Sequence, residues 1–224
     1  DLPVGCEALL DQVTHGLITH CQKGHFDHLD RAGARWLRER QVPVTCTPHD
    51  ARYLASRGVN VAPLPEGHEQ PSPFLGGTIR TQRCVHGHGL VGRLMEHGVG
   101  YLIEHPGEPS VYVAGDTLFT PAIRDFVLRH QPDVCVVPAG GARFDLGGHI
   151  IMGIDEVIAL ATTVSGQVVA NHLEALSHCP TTRAGLRAAA RSAGIADRLV
   201  VPDDGDSICF EVRSGRVSQD AAGA

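Results

Sequence analysis

Imidazole nitrogen and carboxylate oxygen are donors that zinc and similar divalent ions accept, and this chain of 224 residues has 14 histidines to offer. Their densest grouping is His25-Phe26-Asp27-His28, soon after the apolar run Gly16-Leu17-Ile18-Thr19. A short loop at the end of a buried strand can aim three such side chains at one point, so the grouping reads as half of a hydrolytic metal site. Satisfied surface or core histidines are the competing reading, and further His and Asp residues at later strand ends weigh against it. His86-Gly87-His88 closes the strand Thr78 to Val85, and two imidazoles flanking a glycine sit poorly in a core. Val111 to Ala114 ends in Gly115-Asp116-Thr117, either a strand-to-helix turn capped by the aspartate or a ligand position. Gln167 to Asn171 ends in His172, again a capped turn or a ligand, with His178 as its competitor.

Leu17-Ile18-Thr19-His20 followed by His25-Phe26-Asp27-His28-Leu29-Asp30 resembles the Thr-His-x-His-x-Asp-His signature of metallo-β-lactamase-fold hydrolases. The closer likeness is to the branch that includes the ascorbate-6-phosphate lactonase. One residue separates the first two histidines of that signature, whereas here Cys21-Gln22-Lys23-Gly24 lies between His20 and His25. Counting back from Asp27 and His28 puts Lys23 at the first-histidine position. Either His20 ligates from a longer loop or Lys23 has replaced it, and a protonated lysine repels a neighbouring cation.

The resemblance implies a division of ligands. His25, His86 and Asp116 form a first metal position with His20 as its fourth member, and Asp27, His28, Asp116 and His172 form a second. Asp116 then bridges the two through the family's Gly-Asp-Thr motif. His88 becomes a neighbour of the ligands or a substrate contact, and His149 a wall of the pocket. One or two zinc ions are expected, with manganese as the other candidate, and of unequal affinity because the first position is a ligand short. A metal brings the pKa of its water down to about 7. The expected chemistry is therefore attack by hydroxide on a small-molecule lactone, ester or phosphodiester. Asp27 orients the nucleophile and passes a proton to the leaving group, while Lys23 steadies the oxyanion. The alternative is a degenerate metal-binding module without catalysis.

Elements that alternate between strand and helix must position these residues. Glu7 to Val13 reads as a short helix, Leu17 to Thr19 as a strand and Asp30 to Glu39 as a helix. Val42 to Cys46 is a strand, and Thr47-Pro48 caps a helix that stops at Gly58. Val59 to Leu64 is the next strand, and Pro65 to Gly77, which holds His68, reads as loop. A β-rich middle follows in Thr78 to Val85, Val99 to Glu104 and Ser110 to Ala114. Then come a helix over Pro121 to Arg129, a strand over Asp133 to Pro138 and a glycine-rich loop over Ala139 to Gly148. The chain closes with a helix over Ile154 to Thr163, the strand to His172, a helix over Thr182 to Ala193, and strands at Leu199 to Val201 and Cys209 to Val212. Pattern alone gives an α/β protein. The resemblance makes it a four-layer αβ/βα sandwich, a single domain over 1–224, truncated at its N-terminus and short of the strands that precede the metal loop in the family.

Composition bounds the rest. A length of 224 residues supports one sizeable core. Apolar residues make up 42%, mean hydropathy is −0.04, and no apolar run is long enough to span a bilayer. A net charge of −6 without a basic cluster disfavours nucleic-acid binding. Seven scattered cysteines, without a Cys-x-x-Cys, suit a reducing cytoplasm and mostly buried packing roles, Cys21 and Cys179 included.

Overall fold

A three-stranded parallel sheet, in the order β1 (Gly16–Leu17), β2 (Pro43–Cys46), β3 (Asn60–Pro63), carries the first histidines. The computed structural model describes residues 3, 5–21, 28–65, 70–89, 92, 97–144, 148–174 and 176–211. Lys23, His25 and Asp27 lie outside the described residues, as does His68. Parallel neighbours need crossovers, and α2 (Arg31–Glu39) and α3 (Pro48–Ser56) supply them after the short α1 (Cys6–Leu10). Asp30 caps α2 by accepting from Gly33 N, and Thr47 caps α3 by accepting from Asp50 N with Pro48 in the first turn. Such caps contribute about 1 kcal/mol each. The expected helix from Glu7 to Val13 ends at Leu10. It buries no residue, so tertiary packing does not extend it.

The second sheet has seven strands in the order β12-β11-β8-β7-β6-β5-β4. Its members are β4 (Ser72–Phe74), β5 (Gly77–Arg83), β6 (Val99–Glu104), β7 (Val111–Val113), β8 (Val134–Pro138), β11 (Gln167–Asn171) and β12 (Leu199–Val200). β4 to β7 run antiparallel, whereas β7, β8, β11 and β12 run parallel. α4 (Pro121–His130), α5 (Ile154–Thr163) and α6 (Arg183–Ser192) cover one face, where Leu102, Tyr112, Cys135, Val137, Val168 and Ala170 form the main core with Ile123, Leu160 and Leu186.

Alternation along β6 shows how the layers stack. Leu102 faces the helices, while Val99, Tyr101 and Ile103 pack with Ile79, Leu17 and Leu64 toward the first sheet. The far face of the first sheet holds Val44, Cys46 and Leu54, with Leu37 against them. The order is helices, sheet, sheet, helices, as the αβ/βα expectation requires.

Three local expectations are corrected. Pro65 to Gly77, read as loop, contains β4. Leu75 and Gly76 both take positive φ (50° and 84°), forming a two-residue turn whose sequence signal was the Gly76-Gly77 pair. Ala139 to Gly148 contains the antiparallel pair β9 (Arg143–Phe144) and β10 (Gly148–His149). Cys209 to Glu211 forms no ladder among the described residues, outside which Val212 lies. Ile208 and Cys209 are exposed there, so the segment has no apolar face to bury against the short edge strand β12.

Candidate metal centre

β5, β7 and β11 end at the same edge of the second sheet, because two antiparallel steps bring β7 back to the direction of β5 and β7 to β11 are parallel. The end of β1 meets this edge where Val99 N donates to Thr19 O and the Tyr101 hydroxyl donates to Ile18 O. Residues beyond these strand ends therefore converge: His20 after β1, His86 after β5, Asp116 after β7 and His172 after β11. His28 joins them from the turn before α2.

Asp116 Oδ2 is the centre of the group. His28 Nε2 lies 3.4 Å from it, His172 Nε2 3.6 Å, His86 Nε2 3.9 Å and His20 Nε2 4.0 Å. Most of these separations exceed ordinary hydrogen bonds. They match a shared ion better, since ligands at 2.0–2.1 Å in tetrahedral array stand ~3.4 Å from each other. His20, His28 and Asp116 have donor atoms all within 4.8 Å of one another. Burial alone would raise the Asp116 carboxyl. The His28 donor and the imidazoles of His172 and His20 outweigh it and hold the carboxyl well below the usual carboxylate range. An anion so placed, ringed by imidazoles, is a donor set that fits a borderline-soft divalent cation.

The rings are held by their second nitrogens. His86 Nδ1 is 2.7 Å from Ile150 O, which only an Nδ1–H can satisfy, so the Nε2 lone pair faces Asp116. His172 Nδ1 lies 3.6 Å from Cys179 Sγ, and His20 Nδ1 3.2 Å from Thr19 Oγ1. Backbone conformation is spent here too. His172 has φ 57°, uncommon for a residue with a Cβ. Gly115 has φ 67°, and a Cβ there would stand 3.0 Å from Val99 O and 3.1 Å from Thr19 Cβ. Glycine thus lets the Asp116 turn press between β1 and β6.

Of the residues singled out in the sequence, the structure brings together His20, His28, His86, Asp116 and His172. His86 is buried and His88 exposed. Lys23, His25 and Asp27 lie outside the described residues. His178 is exposed, and Glu174 accepts from the Arg183 backbone N and side chain. His149 lines a cavity of about 450 Å³ with Gly153 and Thr181. Cys21 packs in the first-sheet core. Sequence reasoning missed Ile150 O and Cys179 as partners of the ring nitrogens. It also missed the pair of half-buried His97 and buried Asp50, whose atoms Nε2 and Oδ1 are 2.8 Å apart beside His20. The visible signal at Asp50 was its place in a capped helix start.

A family model for the beta-lactamase superfamily domain matches residues 5–172. The UPF0173 protein YddR of Bacillus subtilis is 30% identical over 213 residues, which cover 93% of this chain and 81% of that protein. A UPF0173 metal-dependent hydrolase of Azorhizobium caulinodans is 30% identical over 209 residues, 89% of this chain and 82% of that one. Among solved structures, an isothiocyanate hydrolase from Delia radicum gut bacteria superposes with a TM-score of 0.83 at 30% identity, covering 93% of this chain and 80% of that one. A possible metal-dependent hydrolase from Veillonella parvula gives a TM-score of 0.84 at 26% identity, covering 94% and 81%.

Proposed function

The chain belongs to the beta-lactamase superfamily, among the UPF0173 metal-dependent hydrolases, and from that premise we propose that its cluster hydrolyses a small-molecule lactone, ester or phosphodiester. The observation that carries the reading is the set of four imidazole Nε2 atoms within 4.0 Å of one buried carboxylate oxygen. His20, His28, His86, Asp116 and His172 would hold the ion or ions, zinc or manganese, with His25 and Asp27 added from the loop between His20 and His28. A bound divalent ion supplies Lewis acidity and a water whose pKa is near 7.

The chain's own residues do the rest. Ile150 O keeps the His86 ring in the tautomer that offers Nε2 inward. Asp116 contributes the fixed negative charge that draws a cation to the centre, and its burial strengthens that attraction. Asp27 orients the attacking water and hands a proton to the leaving group, and Lys23 steadies the oxyanion. Seven scattered cysteines without a Cys-x-x-Cys fit a reducing compartment, and we place the protein in the cytoplasm on that ground. No helix among the described residues is long and apolar enough to cross a membrane.

The test is elemental analysis of the purified protein, followed by a panel of lactones, esters and phosphodiesters with and without chelator. Chelator-sensitive turnover of one class is expected. Bound metal without turnover of any class would favour the degenerate module instead. The 30% identity to an isothiocyanate hydrolase over 93% of the chain favours one addition. Isothiocyanates, whose central carbon is electrophilic toward water, belong in the same panel.

A further inference from the structure

Asp50 is 1% exposed and sits outside the ligand cluster. Its Oδ2 accepts from the Thr47 hydroxyl at 2.9 Å, and its Oδ1 accepts from His97 Nε2 at 2.8 Å. The carboxylate is thus anchored to the N-terminal turn of α3, because Thr47 Oγ1 also accepts from Asp50 N. A carboxylate this deep is costly unless it is bonded, and the His97 donor offsets that cost.

His97 is held on two further sides. The exposed His49 stacks on it with ring centroids 4.0 Å apart and an interplanar angle of 29°. On the other side it meets His20 edge to face, with centroids 6.4 Å apart at 82°. A Cβ at Gly98 would stand 3.5 Å from His20 Cβ, so the backbone after His97 runs directly along His20. His20 is itself 1% exposed, and its ring packs 3.9 Å from that of His28 and 5.4 Å from that of His86. Asp50 therefore fixes His97, and His97 packs edge to face against the His20 ring.

We propose that Asp50 and His97 are positioning residues for the metal centre, holding the His20 imidazole where its Nε2 can share an ion with Asp116. His20 is the candidate ligand that Cys21 to Gly24 separates from His25 in the sequence. This pair supplies from α3 and the start of β6 the rigidity that a one-residue spacing would otherwise give. Groups hydrogen-bonded to a metal ligand change affinity by about 10- to 100-fold without touching the ion, and the His97 ring restrains His20 through packing.

The proposal rests on the cluster holding metal, and its test separates the two ideas. Zinc affinity is measured by competition with a chromophoric chelator, and the visible spectrum is taken of the cobalt-loaded protein, for wild type, Asp50→Ala, Asp50→Asn and His97→Phe. The thermal midpoint of each metal-free protein is recorded alongside. Zinc affinity is expected to fall about tenfold or more in Asp50→Ala and His97→Phe, with a changed cobalt band. Asp50→Asn, which still accepts from His97, is expected to recover part of both. A purely structural role would lower the metal-free midpoint and leave affinity and spectrum alone. That result would overturn the positioning role while sparing the metal centre. A wild-type protein that binds neither zinc nor cobalt would overturn both.

Discussion

Protons and metal compete for the same Nε2 lone pairs, so zinc affinity should fall as pH drops. Asp116 does not set this dependence. Its carboxyl is lowered from the usual value of 3.8, so the stability its charge contributes is present above that value and is lost only as pH falls further, through the depressed one. Zinc binding titrated between pH 5 and 8 should therefore weaken toward the acid end; an affinity unchanged down to pH 5 would argue against imidazole ligands. Asp27→Ala should lower turnover by about 100-fold or more while moving the unfolding midpoint little, since general acid–base help is worth ~10²–10⁴-fold. Unchanged turnover would remove Asp27 from the chemistry. Asp116 and His172 could be picked out as candidates because each follows an apolar strand, His86 because it follows a strand beside a second histidine, and His28 because it belongs to the dense His25-Phe26-Asp27-His28 grouping. Their orienting partners could not, because Ile150 O lies 64 residues from His86 and Asp50 lies 47 from His97, and such contacts leave no local pattern.

At the scale of elements, the site depends on strand ends being brought close together. Gly115 shows the tolerance: its φ of 67° and the 3.0 Å approach to Val99 O leave no room for a methyl group. Gly115→Ala should cost about 1–2 kcal/mol of stability from the left-handed backbone alone and should also weaken zinc binding, by moving Asp116. Denaturant unfolding of the metal-free protein and zinc titration measure the two effects, and a loss of neither would mean that the turn adapts freely. The helix after β2 was legible through its Thr47-Pro48 start. β4 and the β9–β10 pair were hidden because strands of two or three residues in Pro/Gly-rich stretches present no period to read. The strand expected at Cys209 to Val212 had the right residue types, but Ile208 and Cys209 stay exposed and Cys209 to Glu211 joins no ladder among the described residues.

For the molecule as a whole, the centre lies where two sheets meet, so folding and metal binding are coupled. Tyr101 is wholly buried between the sheets, and its hydroxyl donates to Ile18 O, two residues before His20. Tyr101→Phe leaves that carbonyl without this donor and should cost about 1–2 kcal/mol, read as a lower denaturation midpoint. The αβ/βα stacking was legible only through the resemblance, because alternation of strand and helix fits three-layer folds equally well. The register of β6, with Leu102 to one side and Tyr101 to the other, is what separates the layers. Ligand at about 100 times its Kd stabilises a fold by about 2.7 kcal/mol, so chelator-treated protein should melt several degrees below the zinc-loaded form. The most direct measurement is a calorimetric zinc titration of chelator-stripped wild type beside Asp116→Ala. The predicted result is at least one ion bound per chain in the wild type and binding lost or greatly weakened in the variant. No zinc bound by the wild type, or equal binding by both proteins, would contradict a metal centre built around Asp116.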